Sequence, residues 1–336
     1  MPTTPTRAAM RNGSDAGPAR DRRAGLLYGL GAYGLWGLLP LYFVTIGIAS
    51  PLEIVSNRVV WSLLFCALLL TATRSWPQLA VLLRDRGSML RLSVAAVLIA
   101  VNWLTYTYAV LNGHAVEASL GYFINPLVST ALGVLILKER LNRVQWTAMG
   151  FGLLAVLVLT FAYGSLPVIA LTLAFSFGLY GFVKNRVGRT AGAVTTLSVE
   201  TAVLALPAAG YMAWILSRDE ATVLSSGPTH FWLMAASGII TAVPLLFFGA
   251  AARRLPLSTI GTLQYLAPVL QFILALTLLN EEMPVERWIG FSLVWVAIIL
   301  LTVDMMRRPG IRRRADARAA ASARALESEE ATAPPH

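Results

Sequence analysis

The 336-residue chain is 57% hydrophobic and 13% charged, with a mean hydropathy of +0.66, whereas soluble domains carry about 25% charged and 45–50% apolar residues. A soluble fold of this length has no interior for so much apolar surface, which excludes a soluble enzyme or binding module. The net charge of +10 would suggest nucleic acid in a soluble protein, but here the basic residues sit in tails and loops between apolar runs, and no nucleic-acid partner is needed to explain them.

Residues 1–23 hold Arg7, Arg11, Arg20, Arg22 and Arg23 among Pro and Gly. They read as a disordered cytosolic tail and not a cleaved leader, because the apolar run that follows is far longer than a signal-peptide core. Apolar runs then occupy 24–48, 51–72, 89–110, 117–137, 143–162, 166–183, 193–216, 230–250, 257–279 and 285–305. Each is long enough to cross a hydrocarbon core of about 30 Å. The fold expected is an all-α integral membrane protein of ten transmembrane helices, with membrane lipid as its solvent. Residues 307–336, rich in Arg and Ala and then acidic, read as a second cytoplasmic tail. Cys66, the one cysteine, lies inside a span, so no internal disulfide or cysteine-based metal motif is expected.

Orientation follows from Lys and Arg. Alternate connections carry Arg74, Arg84, Arg86 and Arg91; Lys138, Arg140 and Arg143; Lys184, Arg186 and Arg189; and Arg253 and Arg254. Of the 27 basic residues, only Arg58, Arg218 and Arg287 fall outside these connections and the tails. Both termini are therefore expected in the cytoplasm.

The chain also repeats itself. Sliding it along its own length lays Ser119–Pro126 over Gly261–Pro268, Leu137-Lys138-Glu139 over Leu279-Asn280-Glu281, and Trp146 over Trp288. The repeats expected are 24–162 and 163–306, five helices each. Five is odd, so the second copy must be inverted across the membrane. The charges agree, because Lys138, Arg140 and Arg143 become Asn280, Glu282 and Val285.

The Lys138-Glu139-Arg140 turn at the end of the fourth span is similar to the one that closes the fourth helix of the EamA repeat. Gly34–Tyr42, Asn57-Arg58, Asn102-Trp103, Asn112–His114, Glu117–Pro126, Ala174–Gly181 and Ala251–Ser258 resemble the RarD-type permeases of that family, within the drug/metabolite transporter superfamily. The resemblance covers about residues 24–306 and implies a ten-helix, inverted-repeat permease of a bacterial inner membrane. It also implies that the fifth and tenth helices serve as scaffold or homodimer contact. The chain departs from the pattern in its long tails and in placing Asn57, where relatives commonly have His, before Arg58.

Binding sites in inverted-repeat transporters lie near mid-membrane, where helices break at corresponding places in the two halves. Pro126 and Pro268 form such a pair, freeing the carbonyls of Tyr122 and Gln264; an ordinary packed kink is the plainer reading. Arg58 lies about 10 Å inside the second span, where charge must face protein or water. It fits either an anionic group of a solute or an architectural ion pair with Glu53 or Glu117. Glu200, inside the seventh span, is placed to carry a proton during exchange, or else to reach Lys184. Glu53 and Glu117, at the outer ends of spans, fit gating, and Glu117, in the first turn of its helix, fits capping equally well. Asn102, Tyr106, Asn125, Tyr180 and Tyr265 fit either a solute site or bonds between helices.

A small-molecule solute, an amphipathic drug, an amino acid or another carboxylated metabolite, is thus the expected partner, moved through a central cavity by secondary-active, alternating-access transport with proton coupling as one option. No catalytic residue, cofactor or metal is expected, since no His-Glu-x-x-His, Gly-x-Ser-x-Gly or P-loop pattern occurs. The rival readings are a membrane sensor or assembly protein without flux, and an intramembrane enzyme.

Overall fold

The computed structural model describes residues 16–138, 141–187, 191–252, 254–255 and 257–304. The expected tail 307–336 and Glu139-Arg140 of the quoted turn lie outside these residues. Ten helices form the bundle: α1 (Ala16–Gly37, resumed as Leu39–Thr45), α2 (Pro51–Ala72), α3 (Arg86–Leu111), α4 (Ala115–Leu137) and α5 (Arg143–Tyr163). The second set is α6 (Val168–Val187), α7 (Ala193–Leu216), α8 (Gly227–Ala252), α9 (Leu257–Leu263 and Leu266–Thr277) and α10 (Val285–Asp304). Among the described residues nine are long and apolar enough to span a membrane, and α6 is apolar over the shorter stretch Val168–Lys184. Short helices at Trp76–Arg84 and Thr222–Ser225 lie in connections.

Local chemistry sets where helices start. Ser50 accepts the Glu53 N–H at 3.2 Å ahead of Pro51, opening α2. Asp85 accepts from the Gly87 and Ser88 N–H groups at 3.1 and 3.3 Å, opening α3; the Ser88 hydroxyl and the Gly87 N–H hold its carboxyl below the ordinary range. Asn142 and Gln145 form a reciprocal capping box at α5. The Asn142 amide also donates to Asp304 Oδ1 at 2.6 Å, tying the start of α5 to the end of α10.

Two expectations are corrected. Helix α1 begins at Ala16, so residues 16–23 extend the first helix instead of belonging to a disordered tail. The first span is also not continuous. Pro40 lacks an N–H and frees the carbonyl of Trp36, and the chain turns at Leu38; the freed oxygen is taken by Gln271 Nε2 of α9 at 3.0 Å. The paired prolines also differ in effect. Pro126 sits inside an uninterrupted α4, whereas α9 is interrupted at Gln264-Tyr265, just before Pro268.

The repeat is visible in the backbone and in the packing. Lys138 and Asn280, which the repeat superimposes, both hold left-handed conformations, φ 56° and 53°. Helix α1 packs on α8 as α6 packs on α3, and α2 and α4 each meet their own counterparts, α7 and α9. This is the contact pattern of two units related by a pseudo-two-fold axis. Symmetry is incomplete: α4 lies along α6 more fully than α9 lies along α1. Gly121 explains it, since a Cβ there would stand 2.7 Å from the Ala170 carbonyl, while its counterpart Leu263 fills that space and presses on Gly29 of α1. Behind α4 and α9, rings of Phe123, Phe272, Phe291 and Trp295 lock α10 in place. Leu206 and Phe161, 83% and 82% exposed, face where lipid would lie.

Candidate functional site

Most of the expected site residues fall into three places. The first is a buried polar cluster around Arg58, about a third of the way along α2. Arg58 is 5% exposed; its Nε donates to Thr241 Oγ1 of α8 at 2.7 Å, and its guanidinium carbon stands 4.1 Å from the centre of the Trp103 ring. Thr241 in turn donates to the Ser237 carbonyl at 2.8 Å, which fixes its hydroxyl. Tyr42, Tyr106 and Tyr122 surround the charge from α1, α3 and α4. Tyr122 donates to Asn102 Oδ1 at 2.9 Å, and the Asn102 amide donates to Leu173 O and Ser176 Oγ across to α6. The Tyr42 hydroxyl donates to Leu233 O at 2.9 Å. The Tyr106 hydroxyl is buried without a partner, and the buried Ser237 hydroxyl lies beside that of Tyr42.

No carboxylate among the described residues pairs with Arg58. Among the described residues the ion pairs are Lys184–Glu200 and Arg254–Asp21, so the bridge to Glu53 or Glu117 does not form. Those two acids are helix caps at the end of the bundle opposite the basic connections. Glu53 accepts from Thr222 Oγ1 and from the Val223 N–H, both at 3.0 Å. Glu117 accepts from the Ile169 and Ala170 N–H groups at the start of α6. Glu281 does the same for α4, accepting from Ala115 and Val116 at 2.6 and 2.8 Å. Each carboxylate meets the positive end of a helix from a distant part of the chain and staples that end together.

The second place is nearer the basic end. Glu200, 2% exposed, accepts at Oε2 from Lys184 Nζ at 3.0 Å and from the Tyr180 hydroxyl at 3.2 Å, while its Oε1 is buried without a partner. Cys66 of α2 faces the same cluster. The third is a cavity of about 200 Å³ between α4, α5, α9 and α10, lined by Pro126, Thr130, Gln145, Gln264, Tyr265 and Asp304 among others. It is separate from the Arg58 chamber. Asn125 Oδ1 is buried without a partner and lies near Gly178 of α6, and Pro268 is packed in the α9 core.

Tyr42, Ser237, Thr241 and Lys184 were not singled out as site residues from the sequence. One signal was present. The displacement that carries Pro126 onto Pro268 also carries Arg58 onto Glu200 and Tyr42 onto Lys184. The two polar clusters are repeat counterparts with opposite charge arrangements, one bearing a lone cation and the other a neutralised pair.

The pattern of the EamA-like transporter family matches residues 23–161 and again 166–303. Protein RarD of Streptomyces exfoliatus is 50% identical over 303 residues, which cover 90% of this chain and 95% of that protein. Protein RarD of Escherichia coli K12 is 42% identical over 287 residues, covering 85% and 96%. A solved crystal structure with 19% identity superposes with a TM-score of 0.56 over 85% of this chain and 98% of that one, a likeness of fold. With both repeats matched and relatives this similar along nearly their whole length, the chain belongs to the EamA-like transporter family, in its RarD-type branch.

Proposed function

We propose that the chain is a secondary-active transporter of a small organic solute, which it holds in the Arg58 chamber and releases to either side as the two repeats rock against one another. The observation that carries this reading is the buried guanidinium for which no described carboxylate is a partner, because an ionisable side chain inside a membrane bundle marks a solute or ion path by default. The chamber draws on α1 to α4 and on α8, hence on both repeats, so relative motion of the repeats would remake it. A groove of about 490 Å³ lined by Ser50, Leu104, Tyr108 and Tyr211 among others opens on the bundle surface at the end nearer Arg58. The excess of Lys and Arg at the opposite end orients that end, with both termini, to the cytoplasm of a bacterial inner membrane.

Flux of a solute panel into proteoliposomes, compared with empty liposomes and with the Arg58→Ala protein, tests the reading. Uptake that needs Arg58 is expected; equal uptake by all three preparations would refute it. The interruption of α9 leads to a further expectation. Pro268→Ala lets the helix close across Gln264-Tyr265 and lowers flux several-fold, whereas Pro126→Ala, in an already continuous α4, has the smaller effect. Equal flux in the two variants would contradict this.

Glu200 is proposed as the proton-coupling group. The groups facing it are Lys184 and Tyr180 of α6 and Cys66 of α2, so adding a proton would free Lys184 from its ion pair and let the α6–α7 contact relax. Glu200→Gln is expected to abolish the response of solute flux to an imposed pH gradient while solute exchange persists. A gradient response equal to that of the wild-type protein would remove Glu200 from the coupling step.

A further inference from the structure

We propose that the solute is a small monoanion, a flat apolar body ending in a carboxylate, and that the site discriminates against zwitterions such as free amino acids. The proposal rests on the transport reading of the Arg58 chamber and adds the charge class of what it carries. Arg58 brings one positive charge and no bound acid. Its Nε is held by Thr241 and one face of the guanidinium is covered by Trp103, which leaves the terminal nitrogens as a fixed fork. A carboxylate matches that fork with two parallel hydrogen bonds. The buried Tyr106 hydroxyl, without a partner, and the Ser237 hydroxyl beside Tyr42 are neutral donors that would complete the shell of an oxyanion.

The same inventory disfavours an ammonium group. Every acidic side chain close enough to matter is already engaged: Glu53 by Thr222 and Val223, Glu117 by the start of α6, and Glu200 by Lys184. The α-ammonium of an amino acid would therefore be buried beside Arg58 with no counter-charge, and burying an unpaired charge is costly. A dianion would likewise exceed the single cation. The remainder of the wall is aromatic. Tyr106 and Tyr122 meet edge to face with ring centres 5.6 Å apart, flanked by Phe177 at 5.9 Å from Tyr122 and Phe43 at 5.9 Å from Tyr106. Once the helices part, these rings would receive a planar ring by stacking or edge contacts.

A matched series separates the alternatives: 3-phenylpropionate, phenylalanine, 2-phenylethylamine and 3-phenylpropanamide share a ring and chain and differ in charge. Binding to the purified full-length protein in lipid nanodiscs would be measured by titration calorimetry. The acid should bind at least about tenfold more tightly than the amide or the zwitterion, and the amine should not bind. Arg58→Ala should erase the preference, and Arg58→Lys should keep its sign at reduced affinity. Should Arg58→Ala fail to fold, Thr241→Val, which unfixes the fork, should shrink the preference several-fold. Phenylalanine binding as tightly as the acid, a preference that survives Arg58→Ala, or no binding by any of the four at millimolar concentration would each overturn the proposal. The expected order without flux in proteoliposomes would instead sink the transport reading and leave the charge class standing.

Discussion

Arg58→Ala is expected to lower solute flux at least tenfold while the protein inserts and folds as before. A hydrogen bond to a charged group contributes about 1.5–3 kcal/mol, so losing the guanidinium from a solute's anionic end weakens binding by about ten- to a hundredfold. Removing one member of a buried ion pair usually destabilises, because the other charge is stranded. Here nothing is stranded: no described carboxylate faces Arg58, and Thr241 keeps its bond to the Ser237 carbonyl. Thermal unfolding of the variant should therefore match the wild-type curve, or lie above it, while flux falls. A large drop in thermal stability together with the loss of flux would mean that Arg58 holds the bundle together.

Gly238→Ala is expected to do the opposite, damaging the fold first. A Cβ at this position would stand 2.5 Å from the Trp61 carbonyl oxygen and 2.6 Å from its carbon, so the obstacle is the backbone of α2, which has no rotamer to yield. Overpacking of this kind costs about 1–3 kcal/mol. Gly238 lies one helical turn from Thr241, and Trp61 one turn from Arg58, so parting α8 from α2 also draws the hydroxyl away from the guanidinium. A lower unfolding temperature and reduced flux should appear together. An unchanged unfolding temperature would show that the two helices do not approach this closely in the membrane.

Much of this architecture was legible in the sequence because lipid enforces it. A backbone without water to bond must close its own hydrogen bonds, so span positions and the alternation of Lys and Arg could be read residue by residue. The inverted repeat was legible for the same reason, through Pro126 and Pro268 and through Lys138 becoming Asn280. What escaped was set by contacts between distant helices. The break in α1 looked like continuous apolar sequence because Pro40 is tolerated only where Gln271, far along the chain, takes the freed Trp36 carbonyl. Ser237 and Thr241 resemble ordinary small polar residues of a membrane helix, and only the packing of α8 on α2 brings them to Arg58. Glu117 was legible as a capping candidate and Glu53 was not, and the helix starts they cap, at Ile169 and Val223, cannot be read from spacing.

The central claim is that the Arg58 chamber opens to both sides of the membrane in turn. Cys66 is the chain's one cysteine, so Cys66→Ser gives a thiol-free background into which Ser237→Cys can be placed, on the chamber wall. A membrane-impermeant thiol reagent should modify that cysteine both in right-side-out vesicles and in inverted vesicles, with the rates shifted in opposite directions when a solute gradient is imposed. Modification from one side only, or from neither, would contradict the account.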